Sequence, residues 1–385
     1  MKLIDRIQDY AEDLTAIRRD LHAYPELGFE EVRTSGVVAS LLESWGIETH
    51  RNIGKTGVVA VLEGARPGKT IGLRADMDAL PIEEQTNLPY RSTNPGVMHA
   101  CGHDGHTTML LGAARYLAET QDFAGKVVFI FQPAEEGLGG ARAMLADGLF
   151  ERFPCDEVYG LHNRPGEPQH QVGVVPGVAM AGADFFDIKV TGRGSHGARP
   201  QESRDPIVAA TALVQALQSV VSRNLDPLDA VVLSVTQIHS GAAYNVIPGD
   251  AVISGTSRMF TDAARQQVRK RIREIADGVA ASYLVEVEVD IRNIFGVLEN
   301  DERLSHSFAD LARDVAGEEN VTLDGRPVTG SEDFADMLRA VPGAYFTIGH
   351  EGTAMLHNAG FTFDDSILPL GSTLLARIVE TRAAS

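Results

Sequence analysis

Segment 98–106 (M-H-A-C-G-H-D-G-H) is richer in potential metal ligands than any other part of this 385-residue chain. It contains a thiol at Cys101, imidazoles at positions 99, 103 and 106, and a carboxylate at Asp104. Because Cys101 and His103 are two positions apart, an extended or tightly turned backbone can direct both side chains at one ion. A thiolate with an imidazole suits zinc or another first-row divalent ion rather than magnesium or calcium alone. The segment therefore predicts a metal site that needs further ligands from elsewhere in the chain.

Core packing and redox chemistry are the alternatives to metal binding for this segment. A single cysteine or histidine is usually only packed in a core, but the crowding of ligands here argues against that interpretation. A redox role is also conceivable, although the chain has no C-x-x-C motif and Cys155 is its only other cysteine. Two cysteines also exclude a disulfide framework and fit a reducing compartment.

The overall composition limits the class of protein. The net charge of −19 argues against nucleic acid or an anionic membrane as a partner. The first residues lack the continuous apolar run of a signal peptide, and no stretch approaches the ~20 apolar residues of a membrane span. We expect a cytoplasmic protein of two or three domains, at about 150 residues each.

The N-terminal part of the chain predicts the elements that surround the site. Apolar residues at helical spacing predict one helix over 3–24 and another over 32–45. His22, near the end of the first of these, is interpreted as a cap or surface residue. Short apolar runs at 58–62 and 70–73 predict buried strands.

The strand at 70–73 is followed directly by polar residues, Arg74, Asp76 and Asp78. Open α/β sheets place their sites at the carboxyl ends of such strands. The two aspartates can be ligands, partners that orient ligands, or caps of the next turn, and spacing alone favours caps. Of the two, we expect Asp76 to orient a metal ligand.

Two later strands, 127–131 and 156–163, also end in polar residues. The first leads to the adjacent carboxylates Glu135 and Glu136, and the second contains His162 near its end. Neighbouring side chains of an extended backbone point in opposite directions, so one glutamate can bind metal while the other handles a proton. The alternative is a solvated acidic loop.

A separate domain is predicted within the chain at 184–294. Its elements follow the order β-α-β-β-α-β of a ferredoxin-like, α+β fold. The α/β pattern of 1–183 resumes at 295–385, so we predict a catalytic α/β domain whose chain is interrupted by this insert.

Five residues are the candidate metal ligands. Four of them precede the insert and one follows it: Cys101, His103, Glu136, His162 and His357. Five ligands are too many for one tetrahedral zinc, but they fit two divalent ions with a shared bridge, for which a thiolate is competent. Zinc, manganese, cobalt and nickel all remain open. Glu135, beside Glu136, is then the natural general base.

Five motifs resemble those of one enzyme family. They are L-R-A-D-M-D-A-L-P at 73–81, M-H-A-C-G-H-D-G-H at 98–106, Q-P-A-E-E-G at 132–137, G-L-H-N at 160–163 and L-H-N-x-x-F-x-F-D-D at 356–365. The chain resembles the dinuclear metallo-amidohydrolases and exopeptidases that include aminoacylase, hippurate hydrolase, carboxypeptidase G and the auxin-conjugate hydrolases. The hippurate hydrolase and N-acyl-amino-acid branch is the most similar. One departure from the wider family is Arg74, which stands where many members have a ligand histidine.

The resemblance implies roles for the residues and for the insert. It implies a mixed-sheet metallo-exopeptidase domain with an inserted lid and dimerisation domain, the same five metal ligands, and Glu135 as base. It further implies that His196 stabilises the oxyanion, that Asn245 and Arg258 hold the substrate carboxylate, and that the protein forms a homo-oligomer, a dimer or higher.

The expected activity is hydrolysis of the amide bond of N-acyl-L-amino acids, of hippurate or N-acetyl type, to a carboxylic acid and an amino acid. A dipeptidase or carboxypeptidase that uses the same site is the alternative within catalysis. A silent metal-binding or ligand-sensing protein on this scaffold is the alternative outside it. The loss of the base or of a ligand would indicate the silent protein, whereas Glu135 and all five ligands are present.

Overall fold

The computed structural model describes residues 1–323, 325–352 and 354–384 and divides into two compact units. The first unit consists of Met1–Ala179, Leu298–Pro327 and Asp333–Ser385, and the second of Met180–Val297 and Val328–Glu332. The sequence places the boundaries at 183/184 and 294/295 and does not assign 328–332 to the second unit.

The regular elements are numbered along the chain. The strands are β1 Glu48–Ile53, β2 Gly57–Glu63, β3 Arg66–Asp76, β4 Ala124–Gln132, β5 Glu157–Pro165, β6 Val172–Val174, β7 Gly177–Met180, β8 Gly182–Thr191, β9 Ser195–His196, β10 Val231–His239, β11 Val246–Ile247, β12 Asp250–Met259, β13 Glu286–Phe295, β14 Leu298–Asn300, β15 Val321–Thr322 and β16 Gly343–His350. The helices are α1 Asp5–Asp9, α2 Ala11–Ala23, α3 Val32–Ser44, α4 His103–Thr120, α5 Gly140–Ala146, α6 Leu149–Arg152, α7 Pro206–Asn224, α8 Asp262–Tyr283, α9 Glu302–Ala316, α10 Phe334–Ala340 and α11 Leu368–Arg382.

The first unit is built on a mixed sheet with the strand order β1-β2-β4-β3-β5-β16-β6-β15. Strands β4, β3, β5 and β16 are parallel neighbours, and β1 and β2 are antiparallel. The apolar run of β4 is buried on both faces, which is typical of a parallel strand covered by helices. The prediction of an α/β domain with a mixed sheet is confirmed.

The single helix predicted over 3–24 is wrong, because the chain turns at Tyr10. The Tyr10 N–H donates to the carbonyl of Ile7, three residues back, so α1 ends in a tight turn before α2 begins. The Tyr10 ring is buried and its hydroxyl donates to Glu119, which fixes the break.

The second unit contains an antiparallel sheet in the order β10-β12-β8-β13, with α7 and α8 packed on it. Along the chain the elements run β8-α7-β10-β12-α8-β13, which is the predicted ferredoxin-like α+β order. Strands β9 and β11 form a separate ribbon. In the part of the chain that the structure describes, no helix is both long and apolar enough to cross a membrane.

Candidate metal centre

The predicted ligand loop is shaped by Gly102, which has φ +96 and immediately precedes α4. Left-handed backbone of this kind favours glycine. A Cβ at this position would lie 2.3 Å from Oδ1 of the buried Asn163, so the close approach requires glycine as well. The turn places Cys101 just before the helix and His103 at its first residue. Both side chains therefore come from a rigidly held helix end.

The five predicted ligands come together in two groups that share Cys101. Each group is defined by ligand atoms that lie within 4.8 Å of one another; the groups are Cys101, His103 and His162, and Cys101, Glu136 and His357. Cys101 Sγ lies 3.3 Å from His162 Nε2, and His357 Nε2 lies 3.2 Å from Glu136 Oε1. A sulfur common to two groups is the arrangement that a bridging thiolate requires.

The predicted ligand from the C-terminal part of the chain, His357, is hydrogen-bonded directly to the cysteine loop. Its backbone N–H donates to the carbonyl of Ala100 at 2.8 Å. Its φ of +61 is unusual for a residue other than glycine, and such conformations persist only where the surroundings enforce them.

The orientation of His103 indicates where a cation fits. Its Nδ1 contacts the backbone carbonyl of Asp78 at 2.9 Å and Asp78 Oδ1 at 3.2 Å. Its Nε2 is buried and has no hydrogen-bond partner among the described residues. Asp78 also accepts a hydrogen bond from the backbone N–H of Glu136 at 3.0 Å. A buried orphaned nitrogen, beside a thiol and a carboxylate, fits a zinc-like ion held by imidazole, thiolate and carboxylate donors.

The electrostatics of the group favour a cation. Burial raises the pKa of the Cys101 thiol well above its usual value, and the Glu136 carboxylate raises it further. Burial disfavours protonation of His103, but the nearby Asp76 and Cys101 outweigh it and raise the pKa of this imidazole. Burial lowers the pKa of His162. Metal binding would release the protons of the Cys101 thiol and of the charged His103 imidazole, since a metal takes the thiolate and the neutral imidazole.

The predicted base, Glu135, lies beside the ligands and is only 6% exposed. Its carboxylate belongs to a group with His103 and Glu136 whose atoms lie within 4.8 Å of one another. One of its oxygens, Oε1, accepts a hydrogen bond from the backbone N–H of Asp333 at 3.4 Å. A buried carboxylate this close to the candidate ligands is placed to exchange protons with a molecule held there.

The chain matches the model of peptidase family M20/M25/M40 over residues 72–381. It belongs to this family. It is 43% identical to the hippurate hydrolase of Campylobacter jejuni, with 98% of each chain covered. It is 41% identical to the N-acetyl-L-cysteine deacetylase of Bacillus subtilis, with 94% of this chain and 86% of the relative covered. The chain is thus an amidohydrolase of the M20 family, and the resemblance predicted from its motifs is confirmed.

A solved structure of this family is similar over the whole chain. It is the Bacillus subtilis protein YXEP, described as a dinuclear metal binding peptidase from the M20 family. The TM-score is 0.84 and the identity is 35%, with 98% of this chain and 99% of that chain covered. This neighbour supports the interpretation of the grouped side chains as a metal centre.

The aspartate that orients a candidate ligand in this M20 amidohydrolase is Asp78, and the assignment to Asp76 is wrong. Asp76 Oδ1 lies 2.6 Å from His106 Nδ1, whereas Asp76 Oδ2 is 3.8 Å from His103 Nε2. His106 Nε2 accepts a hydrogen bond from the backbone N–H of Asn163 at 3.0 Å. Both nitrogens of His106 therefore have partners within the fold, and this histidine is not one of the five predicted ligands.

A buried network behind the ligand loop was not predicted, and the interpretation of His22 as a cap or surface residue is wrong, because its side chain is buried. His22 Nδ1 contacts Asp104 Oδ2 at 2.9 Å, and its Nε2 lies 3.4 Å from Glu84 Oε1. Arg18 Nη1 also donates to Asp104, at 3.2 Å. Because Asp104 follows His103, the network holds the first turn of α4. The spacing of Arg18 and His22, which places both on one face of α2, was the available signal.

Three predicted site residues of this M20 enzyme, His196, Asn245 and Arg258, lie in the second unit. His196 is on β9, and the N–H of the following Gly197 donates to the carbonyl of Asn245 at 2.7 Å, so the first two are neighbours. Arg258 is on β12 and half-buried, and its Nη1 contacts Thr256 and the carbonyl of Ser257. Their roles in catalysis stay predictions.

Proposed function

We propose that this M20 amidohydrolase hydrolyses the amide bond of N-acyl-L-amino acids, of hippurate or N-acetyl type, to a carboxylic acid and an amino acid. The observation that carries the proposal is the pair of ligand groups with Cys101 in common and Glu135 beside them. The names of the relatives that act on hippurate and on N-acetyl-L-cysteine support this class of substrate.

The residues present fit two divalent ions per chain. One would be held by Cys101, His103 and His162, and the other by Cys101, Glu136 and His357. Such ions polarise a carbonyl oxygen and make a water more acidic. Glu135 takes a proton from the attacking water and delivers it to the amine nitrogen as the carbon–nitrogen bond breaks. The carboxylate then returns to its ionised form.

His196 is proposed to donate a hydrogen bond to the oxyanion. Its Nδ1 accepts from the backbone N–H of Ala198 at 3.0 Å. The neutral ring therefore carries its proton on Nε2, which is the donor that an oxyanion needs. The exposure of this side chain leaves that donor accessible.

Asn245 and Arg258 are proposed to hold the carboxylate of the substrate. Among the described residues, Arg258 has no carboxylate partner, although it is half-buried and its guanidinium fork matches a carboxylate. Burial lowers the pKa of Arg258 without removing its charge. An anionic group of the substrate would supply the missing partner.

We also propose that the second unit pairs with a copy of itself. In the sheet of the described residues, β10 has a neighbouring strand on one side only, and it exposes Val232 and Ile238. An open strand edge with exposed aliphatic residues is a ready pairing surface. Sedimentation should give a dimer or larger species that Ile238→Lys dissociates. Val32→Lys, at an even more exposed aliphatic position in the first unit, should have no effect.

Elemental analysis and a product-release assay test the proposed function together. N-acetyl and N-benzoyl amino acids are offered beside matched dipeptides after chelation and reconstitution with Mn, Co, Ni or Zn. We expect about two ions per chain, as in dinuclear hydrolases, and faster release from the acyl amino acids. Faster release from the dipeptides would indicate a dipeptidase or carboxypeptidase that uses the same site. If the protein showed no bound metal and no activity after reconstitution, the catalytic proposal would be refuted and the silent protein on this scaffold would be favoured.

A further inference from the structure

Asp333 is not one of the five predicted metal ligands, yet it is fully buried and its backbone contacts Glu135. Its Oδ1 accepts hydrogen bonds from Gln132 Nε2 at 2.7 Å and from Arg74 Nη2 at 3.2 Å. Its Oδ2 accepts from the backbone N–H of Ala141 at 2.9 Å. These donors come from separate segments of the chain and together fix the carboxylate of Asp333. The backbone N–H of the same residue donates to Glu135 Oε1.

The guanidinium of Arg74 connects this arrangement to the candidate metal centre. Its Nε donates to Gln132 Oε1 at 2.8 Å and its Nη1 donates to Asp76 Oδ2 at 2.7 Å. Arg74, Asp76 and Asp333 are completely buried. A buried cation is tolerated only where its donors are hydrogen-bonded to counter-charges, so each of these groups depends on the others.

We infer that Asp333 is a positioning residue for Glu135, and that the guanidinium of Arg74 holds the Asp333 carboxylate in place by its hydrogen bond. The inference rests on the proposed function, in which Glu135 is the base. The terminal torsion of a glutamate is soft, so the direction of its carboxylate is set by hydrogen bonds rather than by the chain itself. The peptide N–H of Asp333 supplies such a bond, and its own position depends on the anchored side chain. A small misplacement of a catalytic group is sufficient to reduce turnover strongly.

The test is a double-mutant cycle on the metal-loaded enzyme. Asp333→Asn keeps the shape of the side chain but replaces one carboxylate oxygen with an NH2 group. This group is a hydrogen-bond donor, and it would face one of the donors that bind the carboxylate in the wild type. We expect kcat to fall by about tenfold or more, with KM within about twofold and the metal content per chain unchanged. In a Glu135→Gln background the same substitution should change the residual kcat by less than about twofold, because the group that Asp333 positions is already lost.

Equal losses in the two backgrounds would mean that Asp333 acts on the fold alone, and this result would overturn the inference. An unchanged kcat for Asp333→Asn in the wild-type background would overturn it as well. Asp336→Asn is the matched control, since Asp336 lies in α10 and pairs with Arg142 at 2.8 Å. We expect wild-type kinetics from this control.

A second variant covers the case in which Asp333→Asn does not fold. Arg74→Lys keeps the buried charge but loses the fork that reaches Asp76 and Asp333 together, and we expect the same pattern in the cycle. Urea unfolding of every variant separates lost stability from lost turnover. A Glu135→Gln enzyme with near-normal kcat would instead refute the proposed base, and this failure is visible without any Asp333 variant.

Discussion

At the scale of single residues, the proposed function assigns different tasks to the adjacent carboxylates of Glu135 and Glu136. Glu136 lies 3.2 Å from His357 and faces the ligands, whereas Glu135 contacts the backbone of Asp333. We predict that Glu135→Gln keeps the metal content but lowers kcat by about a hundredfold or more, because an amide accepts no proton at neutral pH. Initial rates on an N-acyl amino acid and elemental analysis check this prediction.

The matched control for that substitution is Glu157→Gln. Glu157 is also buried, and it pairs with Arg382 at 2.7 Å and with Lys69 at 3.3 Å. Its loss should lower the free energy of unfolding while kcat stays near that of the wild type. If Glu157→Gln and Glu135→Gln reduced kcat equally, the loss would reflect a missing buried carboxylate rather than a base.

Cys101 offers a second prediction at this scale. If its thiolate bridges two ions, peroxide should oxidise it to a sulfinate and release metal, because a sulfinate replaces a bridging thiolate poorly. A Cys155→Ser enzyme should release metal to the same extent, since Cys155 belongs to no ligand group among the described residues. Metal retention after complete oxidation of Cys101, verified by mass spectrometry, would contradict the role of this residue as a ligand.

The candidate site residues that could be predicted from the sequence are those whose side-chain type alone indicates a chemical role. Cys101, His103 and Glu136 are conspicuous because thiol, imidazole and carboxylate are the ligands of divalent metals. Asp333 and His22 could not be assigned in the same way. Their partners, Glu135 and Asp104, are remote in sequence, and only the folded chain brings them into contact.

At the scale of elements, the turn from the cysteine loop into α4 sets the position of two candidate ligands. Gly102→Ala would place a Cβ 2.3 Å from Asn163 Oδ1, and Asn163 cannot move easily because it contacts His106 and His350. Gly96→Ala is the matched control, since Gly96 also has a positive φ, +76, but apart from its chain neighbours no atom of the described residues lies within 4 Å of the added carbon.

We predict that Gly96→Ala costs about 1 kcal/mol of unfolding free energy, the cost of left-handed backbone alone. Gly102→Ala should cost more and should also weaken metal binding, because the clash moves Cys101 relative to His103. Urea unfolding and metal titration of both variants check the prediction. Equal effects of the two substitutions would show that the contact with Asn163 has no influence on the loop.

Strands were predictable where the pattern is apolar and buried, and unpredictable where it is not. The run at 127–131 identifies β4, and the polar residues that follow the apolar runs of β3 and β4 indicate the edge of the sheet near which the candidate ligands lie. Strand β1 has the polar sequence E-T-H-R-N-I and was not predicted. It lies at the edge of the sheet, where only one side is paired and no apolar periodicity is required.

At the scale of the whole molecule, the fold of the first unit is complete only when the C-terminal part of the chain pairs with the earlier strands. Strand β16 pairs with β5 in parallel, with Thr347 opposite His162, and His357 follows that strand. The candidate ligands therefore lie far apart in sequence and meet only after long-range pairing. For this reason the sequence could predict the ligands but not the distances between them.

The stability of the molecule should depend on pH through His22. Burial disfavours the charged imidazole, but hydrogen bonds to Asp104 and Glu84 outweigh this and raise the pKa of His22 to about 9. The pKa values of Asp104 and Glu84 are lowered despite their burial, chiefly by their hydrogen bonds to His22, so both stay ionised above neutral pH. Between the unfolded pKa of about 6.5 and about 9, the folded protein therefore holds a proton that the unfolded chain releases.

The contribution of His22 is consequently complete below about pH 6.5 and is lost as the pH rises through about 9, with a total of about 3 kcal/mol. Urea unfolding of chelated wild type and His22→Gln at pH 6 and pH 9.5 measures it, because other titrations cancel in the difference. We expect the stability advantage of the wild type to shrink at the higher pH. An advantage that is independent of pH would show that His22 does not carry the proton, and that Arg18 alone balances Asp104 at the start of α4.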